Sequence, residues 1–198
     1  MNYKKYPIFL NLENKNILIV GGGNACLEKL YGLEFTGANL QVISTEFSDE
    51  VKTFLNKYPN ISIEKRAVRE EDLNFRDIIF LATSDSETNL YFRKIAKEKG
   101  IWVNSVDDPK NCDFYSSSSV FIGPIQFAIS TDGKFAGVSS TLRKLFEEIL
   151  PEEDYEFMET IFEMRRNLKE ILPDQKERRL ALKEIIQNLN SKYFHKSN

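Results

Sequence analysis

The run Ile17-Leu18-Ile19-Val20-Gly21-Gly22-Gly23-Asn24-Ala25-Cys26 places three consecutive glycines between an apolar strand pattern and the start of a helical one. That arrangement suits the binding of phosphate. Gly21 permits a tight turn, and Gly23 lets the backbone approach a pyrophosphate. Cys26 takes the third small position, where the helix must pack close to the strand. The helix N-terminus brings free N–H groups and the positive end of the helix dipole to the same spot. Gly21, Gly22, Gly23, Asn24 and Ala25 are therefore the candidate phosphate-binding residues of a dinucleotide site. The alternative is a glycine turn kept for geometry alone.

An acidic residue is expected roughly 20 positions further on, at the end of the second strand, to hold a ribose hydroxyl. Here that strand ends in Ile43-Ser44-Thr45, with Glu46 next. Ser44 and Thr45 can hydrogen-bond a ribose, or Glu46 can reach it, and this local pattern leaves NAD against NADP open. A second loop, Ala82-Thr83-Ser84-Asp85, comes after a strongly apolar run. It lies at the carboxyl edge of the expected sheet, where ligands of open α/β sheets bind. Thr83, Ser84 and Asp85 are cofactor candidates, and Asp85 is equally suited to cap the next helix. A third segment, Asn104-Ser105-Val106-Asp107-Asp108-Pro109, ends another strand at the same edge. Asn104 joins the candidate cofactor contacts. A carboxylate at Asp107 can serve as a general base beside a nicotinamide. A turn acid ahead of Pro109 is the plainer reading, and the adjacent Asp108 leaves the choice open.

Positioning these residues takes an alternating series of elements. The sequence predicts strands at 16–20, 39–43, 61–65, 78–82 and 101–106. Helices are predicted from the glycines to about Phe35, over 47–57 and over 87–99, the last ended by Gly100. Strands alternating with helices imply a parallel sheet covered on both faces. After the serine run 116–119 the pattern changes to two strand-like segments, near 119–122 and 125–130, separated by Gly123-Pro124. From about Val138 the chain reads as helix, broken at Pro151 and Pro173. Phe157, Ile161, Met164 and Leu168, three and four apart, suit an amphipathic helix packed on a neighbour. The expected organisation is a Rossmann-type α/β domain over 1–114, a small α+β region over 115–150 and a helical region over 151–198.

Composition narrows the function classes. Of 198 residues, 41% are hydrophobic, enough for a packed core. With 27 Lys plus Arg against 30 Asp plus Glu, the net charge is -3, so bulk charge does not draw nucleic acid. The two cysteines, Cys26 and Cys112, form no finger spacing, so no structural zinc is expected and they read as cytosolic thiols. The only histidine, His195, sits in a polar tail, a poor base for a Ser-His-Asp triad or a metal site. The start of the chain is polar, and no run approaches the roughly 20 apolar residues of a membrane span. A cytoplasmic protein is expected.

Several of these segments together resemble one known family. Gly21-Gly22-Gly23 followed by Lys29, the Ala82-Thr83-Ser84-Asp85 loop, Asn104-Ser105-Val106-Asp107 with Pro109, Cys112-Asp113-Phe114, and Gly123-Pro124 leading to Ala128-Ile129-Ser130-Thr131 occur in matching order and spacing. They resemble precorrin-2 dehydrogenase, the N-terminal module of siroheme synthase, some members of which are also sirohydrochlorin ferrochelatases. The resemblance covers roughly residues 5–150. It implies a Rossmann domain, a central region that forms a homodimer by exchanging elements, and a helical C-terminal part. It also implies NAD⁺ as hydride acceptor, a cyclic tetrapyrrole as substrate, and Asp107 as the key aspartate. The chain departs from the family at Glu28, where a basic residue is usual, at Ser117-Ser118 and Phe121-Ile122, and over Ser130–Ala136. Lys110, Ser130, Lys134, Arg143 and Lys144 are the residues that can supply contacts to a substrate rich in carboxylates.

The expected function is thus NAD-dependent oxidation of precorrin-2 to sirohydrochlorin, a step that needs no metal. Two alternatives stand beside it. One is Fe²⁺ insertion into sirohydrochlorin, with Asp107 accepting pyrrole protons. The other is a non-catalytic protein that binds a dinucleotide or a tetrapyrrole.

Overall fold

The segment Asn16–Val20 forms the first strand, β1, and Ile17, Leu18 and Ile19 are fully buried on it. An apolar run buried on both faces is what a central parallel strand requires. The second run of this kind, Ile78–Leu81, is β4, and it pairs directly with β1. On the other side β1 pairs with β2 (Asn39–Ser44), which pairs with β3 (Ser62–Lys65). β5 (Trp102–Ser105) completes the sheet beside β4. All pairs are parallel and the order is β3-β2-β1-β4-β5. The order reverses between β1 and β4, which leaves a crevice at their carboxyl ends.

These are the coordinates of a computed structural model, which describes residues 5–122, 125–131, 136–149 and 155–193. The described residues divide into two compact units, one ending at Ser116 and the other beginning at Ser117. In the first unit, helices α1 (Asn24–Leu33), α2 (Asp49–Lys57) and α3 (Ser86–Glu98) cover the sheet. One core cluster joins β1 and β2 to α1 and α2 through Ile19, Leu30, Val42 and Phe54. The other joins the opposite face to α3 through Leu18, Ile79, Phe92 and Ala96. Helices on both faces explain why the strands carry continuous apolar runs and not an alternating pattern.

The strands lie within a residue or two of the sequence expectation. The helix boundaries differ for local reasons. α1 stops at Leu33, and Phe35 adopts a left-handed φ of 60°. α2 starts at Asp49 because the Ser48 side chain accepts from the Val51 N–H and caps it, with Asp49 and Glu50 in the first turn.

In the second unit, β6 (Ser118–Ile122) pairs antiparallel with β7 (Ile125–Ile129). Helix α4 (Ala136–Ile149) packs on this hairpin, with Phe127 and Phe146 stacked at 4.6 Å between centroids. Next in the chain come α5 (Tyr155–Ile171) and α6 (Gln175–Tyr193). Pro173 falls between them, and Asp174 accepts from the N–H groups of Lys176 and Glu177 to start α6. Gly123-Pro124, Lys134 with its neighbours, Pro151 and His195 lie outside the described residues. Among the described residues, no helix is long and apolar enough to cross a membrane.

Candidate functional site

The carboxyl ends of the strands open into a cleft of about 880 Å³. Its floor is the glycine loop, and the three glycines do different work. Gly21 has a φ of 124°, and a Cβ there would come within 2.3 Å of the Ala82 carbonyl oxygen. It needs glycine because β4 passes directly behind it. Gly22 needs glycine because a Cβ would lie 2.1 Å from the Glu46 carbonyl oxygen. The Gly21 N–H donates to the Ile43 carbonyl at 2.9 Å, and the Ser48 N–H donates to the Gly22 carbonyl at 2.8 Å. Those bonds tie the loop to the end of β2.

Gly23 is different. A Cβ built there meets nothing within 4 Å. Its φ of -102° is open to any residue. Nothing in the protein itself demands a glycine at 23, and its open face leaves room for a group from outside to approach the backbone. Gly23 precedes α1 with no side-chain cap, and the first turn of α1 holds no acidic residue. The helix therefore presents its first N–H groups and its positive dipole end, undiluted, to the cleft. This cradle fits the pyrophosphate of a dinucleotide. Cys26 is fully buried where α1 meets β1, as a small residue there should be, and burial pushes its thiol up to about 12.

Gly21, Gly22, Gly23, Asn24, Ala25, Ser44, Thr45, Glu46, Thr83, Ser84 and Asp85 all line this one cleft. The Ser44 hydroxyl is engaged with the Glu46 carbonyl at 2.6 Å, which shapes the β2–α2 loop. Asp85 caps α3, accepting from the N–H groups of Glu87 and Thr88 while still facing the cleft. Hydrogen bonds from Thr88 hold its carboxyl below the usual range. Both readings of Asp85 are thus compatible with its place.

Asn104 is buried in β5, and its amide donates to the Phe114 carbonyl at 2.9 Å. It is not one of the cleft-lining residues. Val106, the first residue beyond β5, does line the cleft; Asp107 comes directly after it and is itself not among the cleft-lining residues. The Ser105 hydroxyl donates to Asp107 at 2.5 Å. Desolvation pulls the Asp107 carboxyl up, but hydrogen bonds from Ser105, Asn89 and Ser86 outweigh it, so it sits below the ordinary carboxylate value. Asp108 is committed elsewhere. It is ion-paired with Arg93 and accepts from the Asn111 amide. The two adjacent aspartates are thereby told apart, one exposed at the sheet edge and one locked into structure.

The residues Cys112-Asp113-Phe114 run back along β5. The Asp113 N–H donates to the Val103 carbonyl, and its carboxylate accepts from the Val103 N–H at 2.9 Å. Phe114 meets Phe80 edge to face at 5.4 Å. Lys29 extends over the Phe80 ring and donates to the Ser116 hydroxyl at 3.1 Å, and burial pulls its ammonium pKa down. Both cysteines are free thiols.

The candidate substrate contacts are spread out. Lys110 is exposed in the turn Pro109–Asn111 of the first unit. In the second unit, Ser130 is exposed just after β7, and Arg143 is ion-paired with Glu147 along α4. Lys134 lies outside the described residues.

Sequence reasoning missed two residues of this region. Arg66 lines the cleft one residue beyond β3. Asn89, fully buried on α3, braces both the Thr83 loop and Asp107. The signal for Arg66 is its position at the carboxyl end of the third strand, equivalent to the glycine loop after β1 and Thr45 after β2. Asn89 carries no local signal, since an asparagine one turn into a helix reads as a surface residue.

Comparison with known proteins agrees with this geometry. Residues 8–118 match the family model NAD_binding_7, an NAD(P)-binding domain. The chain is 30% identical over 182 residues to siroheme synthase of Nitrosomonas eutropha, which covers 92% of this chain and 38% of that protein. It is 33% identical over 173 residues to siroheme synthase of Tolumonas auensis, covering 87% and 36%. The chain therefore spans less than two fifths of these relatives. Among solved structures, SirC, a precorrin-2 dehydrogenase, matches with a TM-score of 0.75 at 23% identity, over 92% of this chain and 89% of that one. The fold is the same.

Proposed function

The chain belongs to the NAD(P)-binding family whose model spans residues 8–118, and from that premise we propose that it oxidises precorrin-2 to sirohydrochlorin with NAD⁺. The names of its relatives, siroheme synthase and precorrin-2 dehydrogenase, support this choice of substrate. The observation that carries the reading is the open glycine at 23 beneath an uncapped helix, on the same sheet edge as a carboxylate held ionised at Asp107.

Bound NAD⁺ supplies the hydride acceptor. The chain's own residues do the rest. Gly23 and the first N–H groups of α1 hold the pyrophosphate, and Gly21 and Gly22 fix the loop that presents them. Ser44, Thr45 and Glu46 face the nucleoside end, and Thr83, Ser84 and Asp85 form the opposite wall. Asp107 stays ionised at neutral pH, so as the ring carbon gives its hydride to NAD⁺ it can accept the accompanying proton or orient a water that does so. The ionised carboxylate equally supports Fe²⁺ insertion as a second activity, with pyrrole protons leaving to Asp107.

We also propose a homodimer working in the cytoplasm. On α4, Val138, Leu142, Leu145 and Ile149 are exposed in the single chain at spacings of four, three and four. That is one helical stripe, the pattern of a face meant to be covered.

The test is an anaerobic assay of precorrin-2 with NAD⁺, monitored by the change in tetrapyrrole absorbance. Oxidation dependent on NAD⁺ is expected. Its absence, with dinucleotide binding intact, would overturn the catalytic reading. Fe²⁺ uptake by sirohydrochlorin without NAD⁺ isolates the second activity.

A further inference from the structure

Among the described residues that line the cleft, Arg66 is the only cation, and Glu46 and Asp85 are the acids. Ser44 of β2 pairs in register with Lys65 of β3, which puts Arg66 across from Thr45 at the nucleoside end. In dinucleotide sites an arginine in this neighbourhood ordinarily receives the 2′-phosphate of NADP. Arg66 is not available for that. Its Nε donates to Glu64 at 2.7 Å. Its Nη1 and Nη2 reach the two oxygens of Asp72 at 2.7 and 2.6 Å, a bidentate pair, and Nη1 also donates to the Ala67 carbonyl at 3.0 Å. Asp72 is nearly buried and accepts from the Arg69 N–H as well, and Glu64 accepts from Gln41 at 2.5 Å. Four of the five guanidinium N–H groups are used on protein oxygens, and two carboxylates flank one positive charge.

We propose that the Glu64–Arg66–Asp72 cluster is the specificity element of the cleft, admitting the free 2′-hydroxyl of NAD⁺ and turning away the 2′-phosphate of NADP⁺. The inference rests on the dinucleotide reading above. Arg66 shapes the nucleoside end, and Arg76, whose Nε donates to the Asp72 carbonyl at 2.9 Å, sets a second positive charge beside the two carboxylates, so the cluster is close to neutral and offers a phosphate no uncompensated cation. A hydroxyl needs no cation there. A phosphate finds no donor fork free to receive it.

Calorimetric titration with NAD⁺ and NADP⁺ tests this, with no turnover required. The wild-type protein should prefer NAD⁺. Glu64→Gln should strip one negative charge from beside Arg66, and Asp72→Asn should break its bidentate pair, and each should improve NADP⁺ affinity on the order of tenfold, with NAD⁺ affinity nearly unchanged. Adding Arg66→Gln to Glu64→Gln should erase the gain. Glu64 is partly exposed, so its variant carries the test if Asp72→Asn fails to fold. An unchanged NADP⁺ to NAD⁺ ratio in folded Glu64→Gln, or a wild-type preference for NADP⁺, overturns the assignment. Binding of neither dinucleotide by the wild-type protein would overturn the cofactor reading itself, and this inference with it.

Discussion

Asn89 clasps Thr83 with both ends of its amide: Nδ2 donates to the Thr83 carbonyl at 3.1 Å, and Oδ1 accepts from the Thr83 hydroxyl at 2.7 Å. The same side chain also helps hold the Asp107 carboxyl below its ordinary value. One buried residue of α3 thus fixes the loop after β4 and bears on the charge of the carboxylate after β5.

Replacing Asn89 by alanine should cost about 1–3 kcal/mol, because the Thr83 carbonyl loses its buried partner. Urea denaturation reads the stability. The same variant should lower kcat more than it raises the KM for NAD⁺, since it loosens Asp107 without touching the glycine loop.

The glycines should separate cleanly. Gly22→Ala must displace the backbone of Glu46, so a marked fall in thermal stability is expected. Gly23→Ala should fold as the wild type does, because its Cβ meets nothing. Gly23→Asp should also fold but lose dinucleotide binding, since its carboxylate would sit where the pyrophosphate goes. An unchanged NAD⁺ affinity in folded Gly23→Asp would refute the site.

Asp107→Asn should remove most dehydrogenase activity while NAD⁺ binding survives. General acid–base catalysis is typically worth about 10²–10⁴ in rate. Asp108→Asn should act on stability instead, through its pair with Arg93. The pH profile gives a second check. The Ser105 hydrogen bond helps hold the Asp107 carboxyl low. Ser105→Ala should therefore move the acid limb of kcat/KM to higher pH.

Asp72 should contribute to acid stability. Its hydrogen bonds to Arg66 hold the folded carboxyl below its unfolded value. The contribution is complete above the unfolded value of about 3.9 and is lost as pH falls through the lower folded value. Asp72→Asn should lower the unfolding free energy at pH 7 by about 1–3 kcal/mol, and the gap to wild type should close in strong acid. Urea titrations at several pH values measure both.

Sedimentation at micromolar concentration should find a dimer. Leu142→Lys with Leu145→Lys on α4 should shift it to monomer, because both side chains sit on the exposed apolar stripe. A monomeric wild type would remove the dimer proposal.

Much of this protein was legible in its residues alone. The runs NILIV and IIFLA announced buried parallel strands, because only a strand covered on both faces is apolar at every position. Three glycines between such a strand and a helix announced the loop that floors the cleft, because turn geometry and helix N-termini are local properties. The tertiary structure decided what depends on register between distant segments. The need for glycine at 22 comes from the Glu46 carbonyl, and the need at 21 from the Ala82 carbonyl. Asp107 and Asp108 look alike in sequence and part company only because Arg93 reaches one and Ser105 the other. Arg66 reads as a surface charge until pairing of β2 with β3 sets it beside Thr45 and the 3₁₀ turn at Glu70–Leu73 brings Asp72 to it. Residue type states what a side chain can do. Which partner it meets is set by strand order and loop length, and those exist only once the sheet is assembled.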